Sequence, residues 1–134
     1  MKLSVNLNKI ALIRNSRGND SPSLIDYAKK CIDLGVDGIT LHPRPDHRHA
    51  TSVDAINISK LCKDHNIEFN LEGNPFSLPH GDFVGFQELC TQSLPSQVTL
   101  VPDDLLQITS DHGWQPGYRD EALKDFINSL KEYP

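Results

Sequence analysis

The sequence predicts an α/β fold with a parallel sheet, and three observations carry the prediction. Short β-rich runs recur at intervals of about 30 residues, the length of a strand, a helix and their loops. Each run is followed by a segment with helical spacing of apolar residues, which calls for parallel pairing through right-handed crossovers. Within the runs, apolar and polar residues alternate, so one face of the sheet is apolar and the other polar.

The first strand falls at residues 3–7, where Leu3, Val5 and Leu7 alternate with Ser4 and Asn6. The first clear helix follows from Ser21 as N-cap and Pro22 in the first turn. Leu24, Ile25, Ala28, Cys31 and Ile32 form its stripe, and Gly35 is its stop. The second strand is predicted at 38–42 and its helix at 52–65, with Ala55, Ile58, Leu61 and Cys62 on one side. The third strand, 67–72, precedes a helix at 81–91 that Gly81 and Gly85 oppose but Phe83, Phe86, Leu89 and Cys90 favour. A fourth strand at 97–102 and a helix at 120–133, with Leu123, Phe126, Ile127 and Leu130 at helical spacing, complete four units.

The alternation selects among α/β architectures. Ile39, Leu41, Phe69, Leu71, Val98 and Leu100 join Leu3, Val5 and Leu7 on the helix side. Asn6, Asn8, Thr40, His42, Asn70, Glu72 and Thr99 point the other way. A doubly wound sheet is covered by helices on both faces and reads as continuous apolar runs, so a polar face suits the interior of a closed (β/α)8 barrel, the TIM barrel. Such a barrel needs roughly 250 residues. Residues 1–134 supply four βα units, so the expectation is a single domain equal to half a barrel, either truncated or completed by another copy.

Composition narrows the function classes. Hydrophobic residues are 37% and charged residues 23% of 134, the mixture of a packed domain. Lys and Arg number 13 against 18 Asp and Glu, a net charge of −5 that argues against a general nucleic-acid binder. Residues 1–50 nevertheless carry +3 and residues 51–134 carry −8, so an anion site belongs in the first third. No apolar run approaches the roughly 20 residues of a membrane span, and no secretory pattern opens the chain. A cytoplasmic protein is expected. Cys31, Cys62 and Cys90 are spaced for neither a disulfide framework nor a zinc knuckle, and read as buried free thiols.

The candidate chemistry lies at the C-terminal strand ends, where barrels build active sites. His42 and Glu72 stand one repeat apart with the same parity, and a His beside a Glu can divide acid and base roles near neutral pH. An arbitrary His/Glu pair is more often a polar pair satisfying itself; two matching strand ends move the balance towards function. The loop from His42 to His49 packs three His and two Arg into eight residues. Its prolines at 43 and 45 stiffen the backbone and so reduce the entropy lost when Arg44 holds a ligand. A metal reading would use His42, His47 and His49, against the local cations; phosphate suits the planar donor fork of arginine better. Asn6, Asn8, Lys9, Arg14 and Arg17 add amides and cations after the first strand, and Thr109 and Ser110 add hydroxyls after the fourth. Taken singly, each is more often an ordinary surface group.

Four blocks together resemble the pyridoxine 5′-phosphate synthase family. They are Val5-Asn6-Leu7-Asn8-Lys9 with Arg14-Asn15-Ser16-Arg17-Gly18; Gly38-Ile39-Thr40-Leu41-His42-Pro43-Arg44 to Arg48-His49; Phe69-Asn70-Leu71-Glu72-Gly73; and Val98-Thr99-Leu100-Val101-Pro102 to Ile108-Thr109. The resemblance implies a cytoplasmic TIM-barrel enzyme of vitamin B6 synthesis, typically an octamer. That enzyme condenses 1-deoxy-D-xylulose 5-phosphate with 3-amino-2-oxopropyl phosphate, with release of phosphate and water and without metal or organic cofactor. It further implies that Glu72 is the general base and His42 its acid/base partner. Asn6 and Arg17 would bind the aminoketone phosphate, and Asn8, Lys9, Arg44, His49 and Thr109 would line the deoxyxylulose phosphate site. Many members have Asp-His where this chain has Asn8-Lys9, and the family's second half brings a further catalytic His. Two other readings stand beside this one: a non-catalytic half-barrel that binds phosphorylated ligands or pairs with another half, and a metal-dependent hydrolase built on the His-rich loop.

Overall fold

The computed structural model describes residues 1–132 as an α/β unit. Its elements, in chain order, are β1 (Ser4–Asn6), α1 (Asn8–Arg17), α2 (Leu24–Asp33), β2 (Gly38–Leu41), α3 (Ser52–Asp64), β3 (Glu68–Gly73), α4 (Phe86–Ser93), β4 (Gln97–Leu100) and α5 (Asp120–Leu130). The four strands form one parallel sheet in sequential order. Ser4 pairs with Gly38, Gly38 with Glu68, and Asn70 with Gln97, so the ladder steps regularly from strand to strand.

The two faces follow the alternation. Leu7, Ile39, Leu41, Phe69 and Leu71 are buried, with Ala28, Ala55, Ile58, Cys62 and Leu89 of the helices in the same core. Val98 and Leu100 on β4 are half-buried against it. Leu3, expected on this face, is instead 60% exposed: it precedes the first paired residue of an edge strand. On the opposite face a row of polar side chains crosses all four strands. The Ser4 and Thr40 hydroxyls lie 2.8 Å apart, Asn70 Nδ2 donates to Thr40 Oγ1 (3.3 Å), and Thr99 Oγ1 donates to Asn70 Oδ1 (2.9 Å).

Three local expectations are corrected. Asn8, Lys9, Arg14 and Arg17, read as polar groups of the connection after the first strand, lie on a helix over residues 8–17. The Asn6 side chain accepts from the Asn8 amide and stands in for an N-cap, Leu7 and Ala11 bury one side, and Gly18 ends the helix. The following helix starts at Leu24 and not at Ser21, because Ser23 is the N-cap that accepts from Asp26 N. The fourth helix begins at Phe86: Gly85, at φ +91°, holds a backbone conformation that a helix cannot include, so the chain turns there first. For α3 the expected start is found, sealed by a capping box in which Thr51 and Asp54 bond each other's backbone. The last helix runs from the expected Asp120 to Leu130; Tyr133, in the expected span, lies outside the described residues. All three cysteines are free, and burial pushes the Cys62 and Cys90 thiols up to about 12. Among the described residues no helix is long and apolar enough to cross a membrane.

Candidate functional site

Because Leu41 pairs with Leu71, the next residues, His42 and Glu72, emerge side by side from β2 and β3 with the same parity. No hydrogen bond joins them among the described residues. Each is instead influenced by Asp103, which enters three residues beyond β4. Its carboxylate Oδ2 lies 3.8 Å from His42 Nε2 and 3.5 Å from Arg44 Nη1, and it accepts a hydrogen bond from Ser110 Oγ.

His42 is 6% exposed, and its backbone amide donates to Asn8 Oδ1 (2.9 Å). Burial pushes its imidazole down to about 4; Asp103 works against that shift and Arg44 and Arg48 with it. The ring is therefore neutral at neutral pH. Glu72 is half-buried, and burial, then the charge of Asp103, raises its carboxyl above the ordinary value of 4.5. A carboxyl with raised proton affinity next to a neutral imidazole is the pairing from which proton-transfer sites are made.

The loop after β2 is fastened rather than loose. Asn15 of α1 donates to the His47 and His49 carbonyls (3.3 and 2.8 Å). Arg48 holds Asp46 and reaches the Gln107 and Ile108 carbonyls (2.6 and 2.8 Å). Arg44, 3% exposed, donates to the Asp104 and Gln107 carbonyls, so its guanidinium braces the loop after β4. His49 lies beside His42, ring centroids 5.9 Å apart, and its Nδ1 accepts from the Ala50 amide (3.0 Å). Burial, followed by His42, Arg44 and Arg48, lowers His49 to about 4 as well.

The remaining expected site residues are placed less centrally. Asn6 is exposed at the end of β1 and Lys9 in the first turn of α1, while Asn8 is half-buried and committed to the His42 amide. Arg17 is exposed at the far end of α1, about 12 Å along the helix axis from Lys9. Thr109 is exposed on the loop that Arg44 and Arg48 brace. The structure thus brings His42, Arg44 and His49 together, with Glu72 on the adjacent strand end, and leaves Asn6, Lys9, Arg17 and Thr109 exposed. Among the described residues, no three His, Cys, Asp or Glu side chains converge as a metal ion would require. A cavity of about 580 Å³ opens beside His42, Arg44, Asn74, Phe83, Asp103 and Leu105, large enough for a small phosphorylated compound.

Asp103 and Ser110 belong to the centre although sequence reasoning passed over them as partners. The available signal was position alone: Asp103 follows the fourth strand's Val101-Pro102 at the same end of the sheet as His42 and Glu72. Asn74 reinforces the arrangement by donating to the Asp103 carbonyl (2.7 Å).

Over residues 3–134 the chain matches the family described as "Pyridoxal phosphate biosynthesis protein PdxJ". It is 48% identical over 130 residues to a pyridoxine 5′-phosphate synthase of Xanthomonas axonopodis pv. citri (strain 306), an alignment covering 97% of this chain and 51% of the relative. To the Xylella fastidiosa (strain M12) protein of that name it is 48% identical over 132 residues, covering 98% and 51%. The chain therefore spans about half the length of the curated relatives it matches. A match over all but two of its residues, on top of an ordered site at the parallel strand ends, makes this chain a member of the PdxJ family of pyridoxal phosphate biosynthesis proteins.

Proposed function

We propose that this chain is the N-terminal portion of a pyridoxine 5′-phosphate synthase, and that its four-stranded sheet is one half of a TIM barrel. The observation that carries the proposal is the register that sets His42 beside Glu72 at adjacent strand ends. Relatives bearing that enzyme's name supply the reaction class. On this reading the substrates are 1-deoxy-D-xylulose 5-phosphate and 3-amino-2-oxopropyl phosphate, the protein is cytoplasmic, and the full-length form assembles as a homo-oligomer, an octamer in the family.

Each residue then has a defined task. Glu72, with its raised proton affinity, removes a proton as general base; His42, neutral at working pH, moves protons during imine formation and the later shifts. Asn6 and Arg17 hold the phosphate of the aminoketone. Asn8, Lys9, Arg44, His49 and Thr109 surround the deoxyxylulose phosphate, with Lys9 a point charge and Arg44 contributing its positive charge while its fork holds the Asp104 and Gln107 carbonyls. Asn8, where many members have Asp, keeps an acceptor for the His42 amide, a contact that an amide and a carboxylate make equally well. That exchange preserves the scaffold at position 8 and removes a titratable group from it.

A second reading is favoured by the sheet itself. Among the described residues β1 and β4 each pair on one side only, so both edges are open to another half-barrel. The chain would then be a phosphate-binding or assembly module without catalysis of its own. Incubating the purified chain with both substrates, and following pyridoxine 5′-phosphate and inorganic phosphate, separates the two. Product formation supports the enzyme. Phosphate-ligand binding without product, in this chain and in a form extended to the relatives' length, overturns it in favour of the module.

A further inference from the structure

Three groups converge on one oxygen of Asp103: His42 Nε2 at 3.8 Å, Arg44 Nη1 at 3.5 Å and Ser110 Oγ at hydrogen-bond distance. The carboxylate is 5% exposed, and its other oxygen, Oδ1, is buried with no partner among the described residues. The negative charge of a buried carboxylate attracts an N–H turned towards it and repels a lone pair. The ring of His42 presents Nε2 on that side.

We infer that Asp103 is a positioning residue for His42, holding the neutral imidazole with its proton on Nε2 and so leaving Nδ1 as the nitrogen that accepts a proton. The inference deepens the proposed function and rests on it for the consequence in catalysis; the tautomer itself does not. In a neutral imidazole one nitrogen donates and the other accepts, and the partner of one decides the role of the other. Every other charged neighbour is compatible with this choice. Arg44 and Arg48 disfavour the doubly protonated ring, and Asp46 acts on it more weakly. Glu72 emerges from the adjacent strand and shares the field of Asp103. His49 already has its own Nδ1 occupied by the Ala50 amide.

Ser110 and Arg44 explain why the carboxylate can do this. Ser110 fixes the carboxylate by donating to Oδ2, and Arg44 supplies a countercharge while braced on two backbone carbonyls. Asp103 is thereby held on the fourth strand's loop at a constant place relative to a ring on the second strand's end. A general acid/base that changes tautomer loses its proton-accepting geometry, so a group that fixes the tautomer controls turnover without touching substrate.

The test is the imidazole nitrogen-15 spectrum of the ligand-free chain at neutral pH, with His42 identified by the signals that vanish in His42→Gln. The expected spectrum shows His42 protonated on Nε2 and unprotonated on Nδ1. Asp103→Glu keeps that form, while Asp103→Asn shifts it to a mixture of both tautomers; Asp103→Ser serves if the Asn variant does not fold. A wild-type His42 protonated on Nδ1, or a tautomer unchanged by loss of the Asp103 charge, overturns the inference. Because no substrate is present, either result is independent of whether the chain makes pyridoxine 5′-phosphate.

Discussion

Arg14 of α1 grips Asp54 of α3 with both arms of its guanidinium, Nη1 to Oδ1 at 2.7 Å and Nη2 to Oδ2 at 2.8 Å. The same carboxylate closes the capping box with Thr51, so one side chain ties the helix after the first strand to the start of the helix after the second. Both partners are largely buried, and Oδ2 also accepts from the Thr51 amide and hydroxyl.

Loss of that carboxylate should be costly. Asp54→Ala removes a cap and strands a largely buried guanidinium, and is expected to lower stability by about 2–4 kcal/mol in urea denaturation. The wild-type interaction should also titrate. Burial acts to raise the Asp54 carboxyl, but Arg14 and Thr51 outweigh it and hold it below its ordinary value of 3.8. A depressed carboxyl contributes its stability above the unfolded value and loses it as pH falls through the folded one. The difference between wild type and Asp54→Ala should therefore be full at neutral pH and shrink below about pH 4.

His42 and His49 set a second acid sensitivity, over a different window. Both are lowered from 6.5 to about 4, chiefly by burial. Above pH 6.5 the rings are neutral folded and unfolded; as pH falls towards 4 only the unfolded chain takes up the protons, and stability drops. His49→Gln should flatten the dependence of the denaturation midpoint between pH 6.5 and 4. An identical slope in that variant would show that His49 is not held neutral.

Glu72 illustrates the opposite sign. Its raised proton affinity means that ionisation is disfavoured in the folded state, so Glu72→Gln should raise the thermal midpoint at neutral pH, with the gain vanishing below about pH 4.5. In a form of the protein extended to its relatives' length, the same substitution should reduce turnover by roughly 100-fold or more while leaving phosphate-ligand affinity near wild type. Unchanged turnover would remove Glu72 from the mechanism.

Gly73 adjoins this carboxylate and leaves no room for a side chain: a Cβ built there would overlap the Phe86 ring. Gly73→Ala should cost about 1–3 kcal/mol by overpacking. The double variant with Phe86→Leu should recover part of that loss, measured by the shift of the urea midpoint. Strand end and helix start are thus packed face to face where Glu72 leaves the sheet.

Much of this molecule is legible in its residues because strands and helices obey local rules. Alternation over a few positions separates Leu41 and Leu71 from Thr40 and Asn70, and the 30-residue spacing puts His42 and Glu72 on matching strand ends. The helix at Asn8–Arg17 was hidden because its apolar side is narrow and its cap is the side chain of Asn6, two residues away from the amide it bonds. Arg44 was legible as a phosphate partner by type, yet its donors are directed to carbonyls some 60 residues ahead.

The parallel α/β class, the polar and apolar faces of the sheet, and the end of it that carries His42 and Glu72 are written in the order of residues, since these depend on periods of two and 3.6 residues and on repeat length. That Asp103, Ser110 and Arg44 close around His42 emerges only in the folded chain. Those contacts join loops from different strands, and their geometry is fixed by side-chain direction and loop closure after the sheet has assembled, which no local period encodes.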